Sequence, residues 1–422
     1  MAYLERLEES ARKGVAPAHT GLATGQMMPP PSARPATLKP PAGRQNLQQQ
    51  AVLAAAAQTG LTPRPLGTIP DDAPLDSGCE ASTSHAYSSS QGSAQHYHLS
   101  TWDQYFDVAK DLQLQHRQGT FRVYLAGTQG PVIFCLHGGG YSGLTWALLA
   151  KHLKGRVRVV AFDQRGHGCS HTTQDEDLSA DMLVQDAVAV WTELYGEEQP
   201  PTIWVGHSMG GAVAVRCAAT KAVANQQGLV VIDVVEGTAL PNLHHMATVL
   251  QQRPQSFPSP EAAVHWARRS GMSKDTEAAC ISIPSCLVQQ PETADTSATL
   301  GGNWIWRTPL HLSQPFWEGW YKGLSDLFMT VPLPKILVLA GTDRLDRPLT
   351  VGQMQGKFQL VLLPHAGHAV HEDQAKSTAD VIATFIQRFR IGQPKMAIPK
   401  ANNAGPPMLP LAAGPVISPS DA

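Results

Sequence analysis

Between about residue 100 and residue 390, short continuous apolar runs alternate with stretches in which apolar residues recur at helical spacing. Residues 132–136 and 229–232 are such runs, and their continuous apolarity predicts strands buried on both faces of a sheet. Residues 178–195 instead have apolar side chains at helical spacing and end at Gly196. This alternation predicts an α/β fold with a mostly parallel, doubly wound sheet.

The alternation is interrupted between residues 238 and 330. Short helices are predicted over residues 243–253 and 261–270, and residues 289–302 have the composition of a polar loop. A group of aromatic residues follows, namely Trp304, Trp306, Trp317, Trp320 and Tyr321. We interpret residues 238–330 as a helical cap or lid inserted before the last strands. The aromatic group fits the core of this cap and a surface facing a substrate equally well.

Both ends of the chain differ in composition from the middle. Residues 1–97 are dominated by Ala, Pro, Gln, Ser, Gly and Thr, and the tail beyond residue 392 is rich in proline. Such segments bury too little apolar surface to offset the entropy of ordering. The sequence therefore predicts a disordered extension over 1–97, one α/β domain over 98–391 and a disordered tail over 392–422.

Composition and charge exclude several classes of protein. Charged residues make up 16% of the chain and the net charge is −2, which does not indicate a nucleic-acid-binding surface. No apolar run approaches the roughly 20 residues that a membrane span requires. The acidic N-terminus does not look like a secretory signal, and the scattered cysteines suggest reduced thiols and a cytoplasmic or nuclear location. Cys280 and Cys286 lack the matching His or Cys pair that a zinc site needs.

The stretch that carries the chemistry is Gly206-His-Ser-Met-Gly210, which lies between an apolar strand and a helix of small residues. An ordinary strand-to-helix turn with a capping serine would also fit these five residues. The flanking strand and helix favour a nucleophile elbow, in which the central residue is exposed on a sharp turn. Ser208 is the predicted nucleophile.

A hydrolase site also needs an oxyanion hole, a general base and an acid. Gly138, Gly139 and Gly140 follow a buried strand, where unobstructed backbone N–H groups suit an oxyanion hole.

The general base is predicted after the last strand, where His368 fits best and His365 and His371 are nearby competitors. Asp233 and Asp343 both follow strands that would flank the site, so either could be the acid; spacing alone slightly favours Asp343.

Residues 102–390 closely resemble the protein phosphatase methylesterases of the α/β-hydrolase superfamily. The resemblance rests on residues 102–106, 120–124, 136–140, 206–212, 232–238, 343–346, 351–358 and 367–373. It implies that Asp233 is the acid and leaves Asp343 as a loop or peptide-binding residue. The chain departs from the animal members in its long N-terminal extension, in a short polar loop at 290–302 and in Gly166, where they have serine.

The resemblance also implies an activity and a partner. A family member removes the methyl ester from the C-terminal leucine of the protein phosphatase 2A catalytic subunit, with no metal or cofactor. Ser208 would attack the ester, His368 would take its proton, and the N–H groups of Met209 and residues 138–140 would hold the oxyanion. Two other hypotheses are a small-molecule carboxylesterase with the same triad and a protein that binds and inhibits the phosphatase.

Overall fold

The computed structural model describes residues 97–290, 304–341 and 345–393. The predicted extension over 1–97 and tail over 392–422 lie almost entirely outside these ranges, so their disorder stays a prediction. Asp343 and most of the predicted polar loop over 289–302 also lie outside the described residues.

The strands are β1 (Val108–Leu114), β2 (Gly119–Ala126), β3 (Val132–Leu136), β4 (Arg158–Phe162), β5 (His171–Thr172), β6 (Thr202–His207), β7 (Gln226–Ile232), β8 (Ser256–Phe257), β9 (Leu287–Gln289), β10 (Trp304–Trp306), β11 (Lys335–Leu339) and β12 (Gln359–Leu362). The helices are α1 (Ala147–Leu153), α2 (Ala180–Tyr195), α3 (Met209–Thr220), α4 (Glu236–Ala239), α5 (Leu243–Gln251), α6 (Pro260–Ser270), α7 (Thr276–Ser285), α8 (Trp317–Tyr321), α9 (Leu324–Thr330), α10 (Arg347–Met354), α11 (Val370–Asp373) and α12 (Ala375–Arg388). Helices separate β3 from β4, β5 from β6, β6 from β7, and β11 from β12, as the alternating pattern predicts.

The central sheet has the strand order β1-β2-β4-β3-β6-β7-β11-β12, with β5 paired to β2. β2 pairs antiparallel with β1 and with β4. The remaining neighbours in this order, from β4 through β3, β6, β7 and β11 to β12, all pair parallel. All five residues of β3 and all six of β6 are buried. This confirms the predicted α/β fold with a mostly parallel sheet. The carboxyl ends of β3, β6, β7 and β11 therefore meet at one edge of the sheet.

Helices cover both faces of the sheet. On one face α2 and α3 contribute buried residues such as Leu183, Val190 and Val213 to a core that includes Phe134 and Trp204. On the other face α1 and α12 pack through residues such as Leu149, Ile382 and Phe385. Because parallel strands are buried on both faces, their side chains are apolar in continuous runs rather than in alternation.

The segment predicted as a cap contains helices α4 to α9 and a small sheet that the sequence analysis did not predict. β10 pairs antiparallel with both β8 and β9, and these strands are only two or three residues long. Such short strands leave no measurable alternation in the sequence. The predicted helices at 243–253 and 261–270 correspond to α5 and α6.

The aromatic residues of this segment divide into two groups. Trp306 packs with Phe257 and Trp266 in the small core of the cap, with ring centroids 5.4 and 5.7 Å apart. Trp317, Trp320 and Tyr321 line a cavity beside the elbow instead. Trp306 therefore lies in the core of the cap, whereas the substrate-facing role of Trp317, Trp320 and Tyr321 stays a prediction.

None of the helices within the described ranges is long and apolar enough to cross a membrane.

Candidate active site

Ser208 lies on a strained turn between the end of β6 and the start of α3. Its φ of 52° and ψ of −122° place a non-glycine residue in a conformation that L-amino acids rarely adopt. A Cβ atom on Gly206 would come within 2.1 Å of the Gly210 carbonyl oxygen, and one on Gly210 within 2.1 Å of the Leu136 oxygen. The two glycines are therefore required by close backbone packing, as expected of a nucleophile elbow.

Asp233 and His368 are joined by a hydrogen bond. Asp233 follows β7 with a φ of 52°, and its Oδ2 accepts from His368 Nδ1 at 2.8 Å. Its other oxygen, Oδ1, accepts from the Ala340 backbone N–H at 3.2 Å, just after β11. The Asp233 side chain is 0% exposed, whereas that of His368 is 49% exposed. An Nδ1–H that donates to a carboxylate leaves Nε2 as the basic nitrogen, which a general base requires.

The two competing histidines have other surroundings. His365 is exposed, and its backbone carbonyl accepts from Lys274 Nζ at 3.3 Å. His371 is buried and its Nε2 lies 2.9 Å from Thr145 Oγ1. Burial lowers the pKa of His371 to about 3, so it is neutral near pH 7. Of the three histidines, His368 is the one that hydrogen-bonds to Asp233.

The loop that carries His368 is held by residues from both sides of the site. His207 donates from Nε2 to the His368 carbonyl at 2.9 Å, and the two rings are 4.6 Å apart. Asp373 accepts from the backbone N–H groups of Gly367 and Lys274, each at 2.6 Å. The sequence analysis did not assign a role to His207, although its place directly before the nucleophile was a signal that could have found it.

The glycine turn after β3 lies against the elbow. A Cβ atom on Gly138 would be 3.3 Å from the Ser208 Cβ, and one on Gly139 would be 3.7 Å from the Met209 sulfur. Met209 is the first residue of α3, where the backbone N–H has no acceptor within the helix. Met209 and the turn therefore lie next to Ser208, and their role as oxyanion donors stays a prediction.

Gly140 differs from its neighbours because its N–H already has a partner. It donates at 3.0 Å to Nε2 of the buried His167, whose Nδ1 donates to the Arg165 carbonyl at 2.8 Å. Burial lowers the pKa of His167 to about 4, so its Nε2 remains an acceptor. We therefore reassign Gly140 from oxyanion donor to support of the turn. The pairing joins residues 27 apart in sequence, and no local pattern indicates it.

The loop over residues 163–170 is held by a buried ion pair and by backbone hydrogen bonds. Arg165 pairs through two nitrogens with the buried Asp186, at 2.5 and 3.0 Å. Asp163 accepts from the Gly143 and Cys169 N–H groups, at 2.6 and 2.8 Å. These contacts fix the loop that presents His167.

A cavity of about 500 Å³ opens above Ser208 and His368. Most of its wall comes from the cap, and its apolar lining residues include Met246, Val249, Leu250, Met272, Leu310, Trp317 and Trp320. Tyr321 also lines it; burial raises the pKa of Tyr321 to about 12, and a hydrogen bond with Ser208 opposes that rise. The cavity therefore combines the proposed reacting groups with an apolar wall.

One charged residue of the wall was missed by the sequence analysis. Arg253, just after α5, lines the cavity, and its guanidinium lies 3.9 Å from the centroid of the Trp306 ring. Its Nη1 would lie 3.7 Å from a Cβ atom on Gly140. The sequence around Arg253 carries no motif, so only the fold places it beside the site.

Comparison with known proteins agrees with this fold. The model of the alpha/beta hydrolase family matches residues 133–381. Protein phosphatase methylesterase 1 of Mus musculus is 38% identical over 366 residues, which cover 78% of this chain and 95% of that protein. A probable protein phosphatase methylesterase 1 of Caenorhabditis elegans is 44% identical over 299 residues, covering 70% and 79%.

Among solved structures, E-2-(acetamidomethylene)succinate hydrolase matches 66% of this chain and 99% of its own, with a TM-score of 0.55 and 22% identity, which bears on the fold alone. The long, well-covered matches to the methylesterases bear on the family as well. The chain is a carboxylic ester hydrolase of the α/β-hydrolase fold, and it belongs to the protein phosphatase methylesterase family.

Proposed function

We propose that this protein hydrolyses the methyl ester on the C-terminal leucine of the protein phosphatase 2A catalytic subunit. The observation that carries the proposal is the buried Asp233 hydrogen-bonded to His368 beside Ser208, within a cavity that a cap encloses. The mainly apolar wall of that cavity suits a leucine side chain.

The reaction begins with attack by Ser208 Oγ on the ester carbonyl carbon. His368 Nε2 takes the hydroxyl proton as the new C–O bond forms, and Asp233 stabilises the resulting imidazolium through Nδ1. Negative charge then develops on the former carbonyl oxygen. Backbone N–H groups of Met209 and the turn at Gly138 and Gly139 supply the stabilisation, worth about 3 kcal/mol for each well-placed donor.

The second half of the reaction restores the enzyme. The C–O bond to the methoxy group breaks, His368 returns its proton to that oxygen, and methanol leaves. A water molecule then attacks the acyl-enzyme with His368 as base, which releases the free leucine carboxylate and Ser208. Every step uses side chains, backbone N–H groups and water.

The test is methyl loss from purified, carboxymethylated catalytic subunit. Wild type should release methanol stoichiometrically, and Ser208→Ala should release none while it still binds the subunit. Absence of methyl loss with folded wild type that rapidly hydrolyses short acyl esters would contradict the proposal and favour a small-molecule carboxylesterase. Full inhibition of the phosphatase by Ser208→Ala, with no methyl loss by wild type, would favour the binding protein.

A further inference from the structure

The wall of the active-site cavity contains a single permanent charge among the described lining residues. That charge is Arg253; the other described lining residues are apolar or are polar without a permanent charge. A guanidinium keeps its proton throughout the physiological range, even though burial lowers the pKa of Arg253. A cation on a largely apolar wall exerts a strong field inside the cavity because little water screens it.

The guanidinium is held in a fixed plane. It stacks on the Trp306 ring at 3.9 Å, and Trp306 is itself anchored by its indole N–H, which donates to the Pro254 carbonyl at 2.8 Å. Trp266 lies on another side, with its centroid 6.0 Å from the guanidinium carbon. Stacking occupies the face of a guanidinium and leaves the N–H groups at its edge available for a ligand.

The available donors exceed the acceptors that the surroundings provide. A guanidinium carries five N–H donors, and Nη2 of Arg253 contacts the sulfur of Met272 at 3.8 Å, which is a weak acceptor. The buried Nε has no hydrogen-bond partner among the described residues. A structural arginine is normally satisfied by carbonyls or a carboxylate, as Arg165 is by Asp186. Arg253 therefore has N–H groups that remain available to an acceptor entering the cavity.

The place of Arg253 limits which part of a substrate it can reach. Its Nη1 lies beside Gly140, in the turn that contacts Ser208 through Gly138. A group bound there lies close to the scissile ester. The acceptor that best matches a planar guanidinium is a carboxylate, which it can bind through two parallel hydrogen bonds.

We propose that Arg253 is a specificity-determining residue that pairs with a carboxylate side chain carried by the substrate within a few residues of the ester. The inference rests on the proposed function and narrows its substrate class to acidic peptide esters. The cap therefore provides charge recognition in addition to an apolar wall.

The experiment compares acetylated tripeptide methyl esters that end in leucine and differ only in charge. One pair carries Glu or Gln directly before the leucine, and the other pair carries them one position earlier. We expect wild type to hydrolyse the glutamate ester of at least one pair with a kcat/KM about tenfold or more above its glutamine counterpart. Arg253→Met should bring that ratio to within about twofold of one, and Arg253→Lys should retain an intermediate ratio.

The matched control is Arg269→Met, which removes an exposed arginine of the same cap that does not line the cavity. It should keep the wild-type ratio. If Arg253→Met unfolds because it loses the stack on Trp306, Arg253→Lys and Arg253→Gln provide the same comparison. Calorimetric binding of the four esters to Ser208→Ala, with and without the Arg253 change, gives a second measurement that needs no turnover.

Three results would overturn the inference. The first is a wild-type kcat/KM ratio near one in both pairs, and the second is a ratio that Arg253→Met leaves unchanged. The third is an effect of Arg253→Met that is confined to inhibition by peptides with a free α-carboxylate. That result would mean that Arg253 binds the product. Failure of the proposed function is separate, because it would appear as a methylated phosphatase subunit that wild type leaves intact while the peptide ratio persists.

Discussion

The sheet edge and the cap contribute to the active site in different ways. At the sheet edge, Ser208 and Asp233 both have positive φ values, and Gly206 and Gly210 approach other backbone atoms so closely that a Cβ would come within 2.1 Å. The cap instead contributes side chains: aromatic rings, methionines and one arginine around a cavity of about 500 Å³. We infer that backbone packing fixes the reacting groups, whereas side-chain chemistry in the cap selects the substrate.

His368 belongs to neither region alone. Its loop is held by His207 from the sheet edge and, through Asp373, by the backbone of Lys274 from the cap. Its side chain is 49% exposed, whereas the Asp233 side chain is fully buried. The base is therefore the member of the proposed triad that both regions position.

The largest effect should come from the sheet edge, with Ser208→Ala. Loss of the nucleophile should lower kcat for any ester by at least about 10⁴-fold, because only oxyanion stabilisation and binding remain. The melting temperature should stay close to that of wild type, since Ala keeps the Cβ that the turn accommodates. Ester hydrolysis and labelling by a fluorophosphonate probe measure the loss. Turnover above a hundredth of wild type would assign the nucleophile elsewhere.

Asp233→Asn tests the acid at the same edge. The amide cannot hold the His368 tautomer that donates from Nδ1, so kcat should fall by about 10⁴-fold with little change in KM. The matched variant is Asp343→Asn, which should hydrolyse a short acyl ester at the wild-type rate. An inactive Asp343→Asn beside an active Asp233→Asn would reverse the assignment.

Gly210→Ala separates backbone packing from side-chain chemistry. The added methyl would lie 2.1 Å from the Leu136 carbonyl oxygen, so the elbow must shift. We expect the free energy of unfolding to fall by about 3 kcal/mol and activity to fall with it. Gly319→Ala, in α8 of the cap, is the control, because nothing lies within 4 Å of its new methyl. Urea unfolding measures both, and equal stability of the two variants would contradict the comparison.

The sheet edge could be predicted from sequence because its signals are local. The apolar run of β6, the glycines at 206 and 210 and the small residues of α3 together specify strand, turn and helix. The acid could not be chosen in the same way. Asp233 follows β7, and Asp343 follows β11, which is the neighbouring strand of the sheet, so spacing alone favoured Asp343 only slightly and could not decide between them.

The features of the cap were mostly beyond prediction, because they depend on contacts between distant residues. Helices α5 and α6 have helical periodicity and were predicted, but β8, β9 and β10 are too short to show an alternating pattern. Arg253 meets Trp306 across 53 positions of sequence, and the Gly140 N–H meets His167 in the same manner. Such pairs become visible only when the chain is folded.

Glu372 is buried at the seam between the two regions, and its effect on stability should appear only as the pH rises. Its Oε1 accepts from Thr145 Oγ1 at 2.5 Å on the sheet side, and Ser282 of α7 faces it from the cap. Burial raises the pKa of Glu372 from 4.5 to about 7. The folded protein therefore keeps this proton up to about pH 7, whereas the unfolded chain releases it near pH 4.5.

The direction of the pH dependence of stability follows from the difference between the folded and unfolded pKa of Glu372. The stabilisation from protonated Glu372 is complete below pH 4.5 and is lost as the pH rises through 7, at a cost of about 3 kcal/mol by pH 8. Glu372→Gln remains neutral, so its free energy of unfolding relative to wild type should increase across that window. Urea unfolding at pH 4.5, 6 and 8 measures the difference.

The control is Glu277→Gln in α7, because the stability that Glu277 contributes depends on pH in the opposite direction. Its hydrogen bond with Lys151 lowers the pKa of Glu277, so its stabilisation is present above the unfolded pKa and lost as the pH falls. Both partners are about half exposed, so removing the pair should cost less than about 1 kcal/mol near neutral pH. If the stability of Glu372→Gln relative to wild type stayed flat from pH 4.5 to 8, Glu372 would be ionised in the folded protein. The seam would then hold a buried charge instead of a neutral hydrogen-bonded acid.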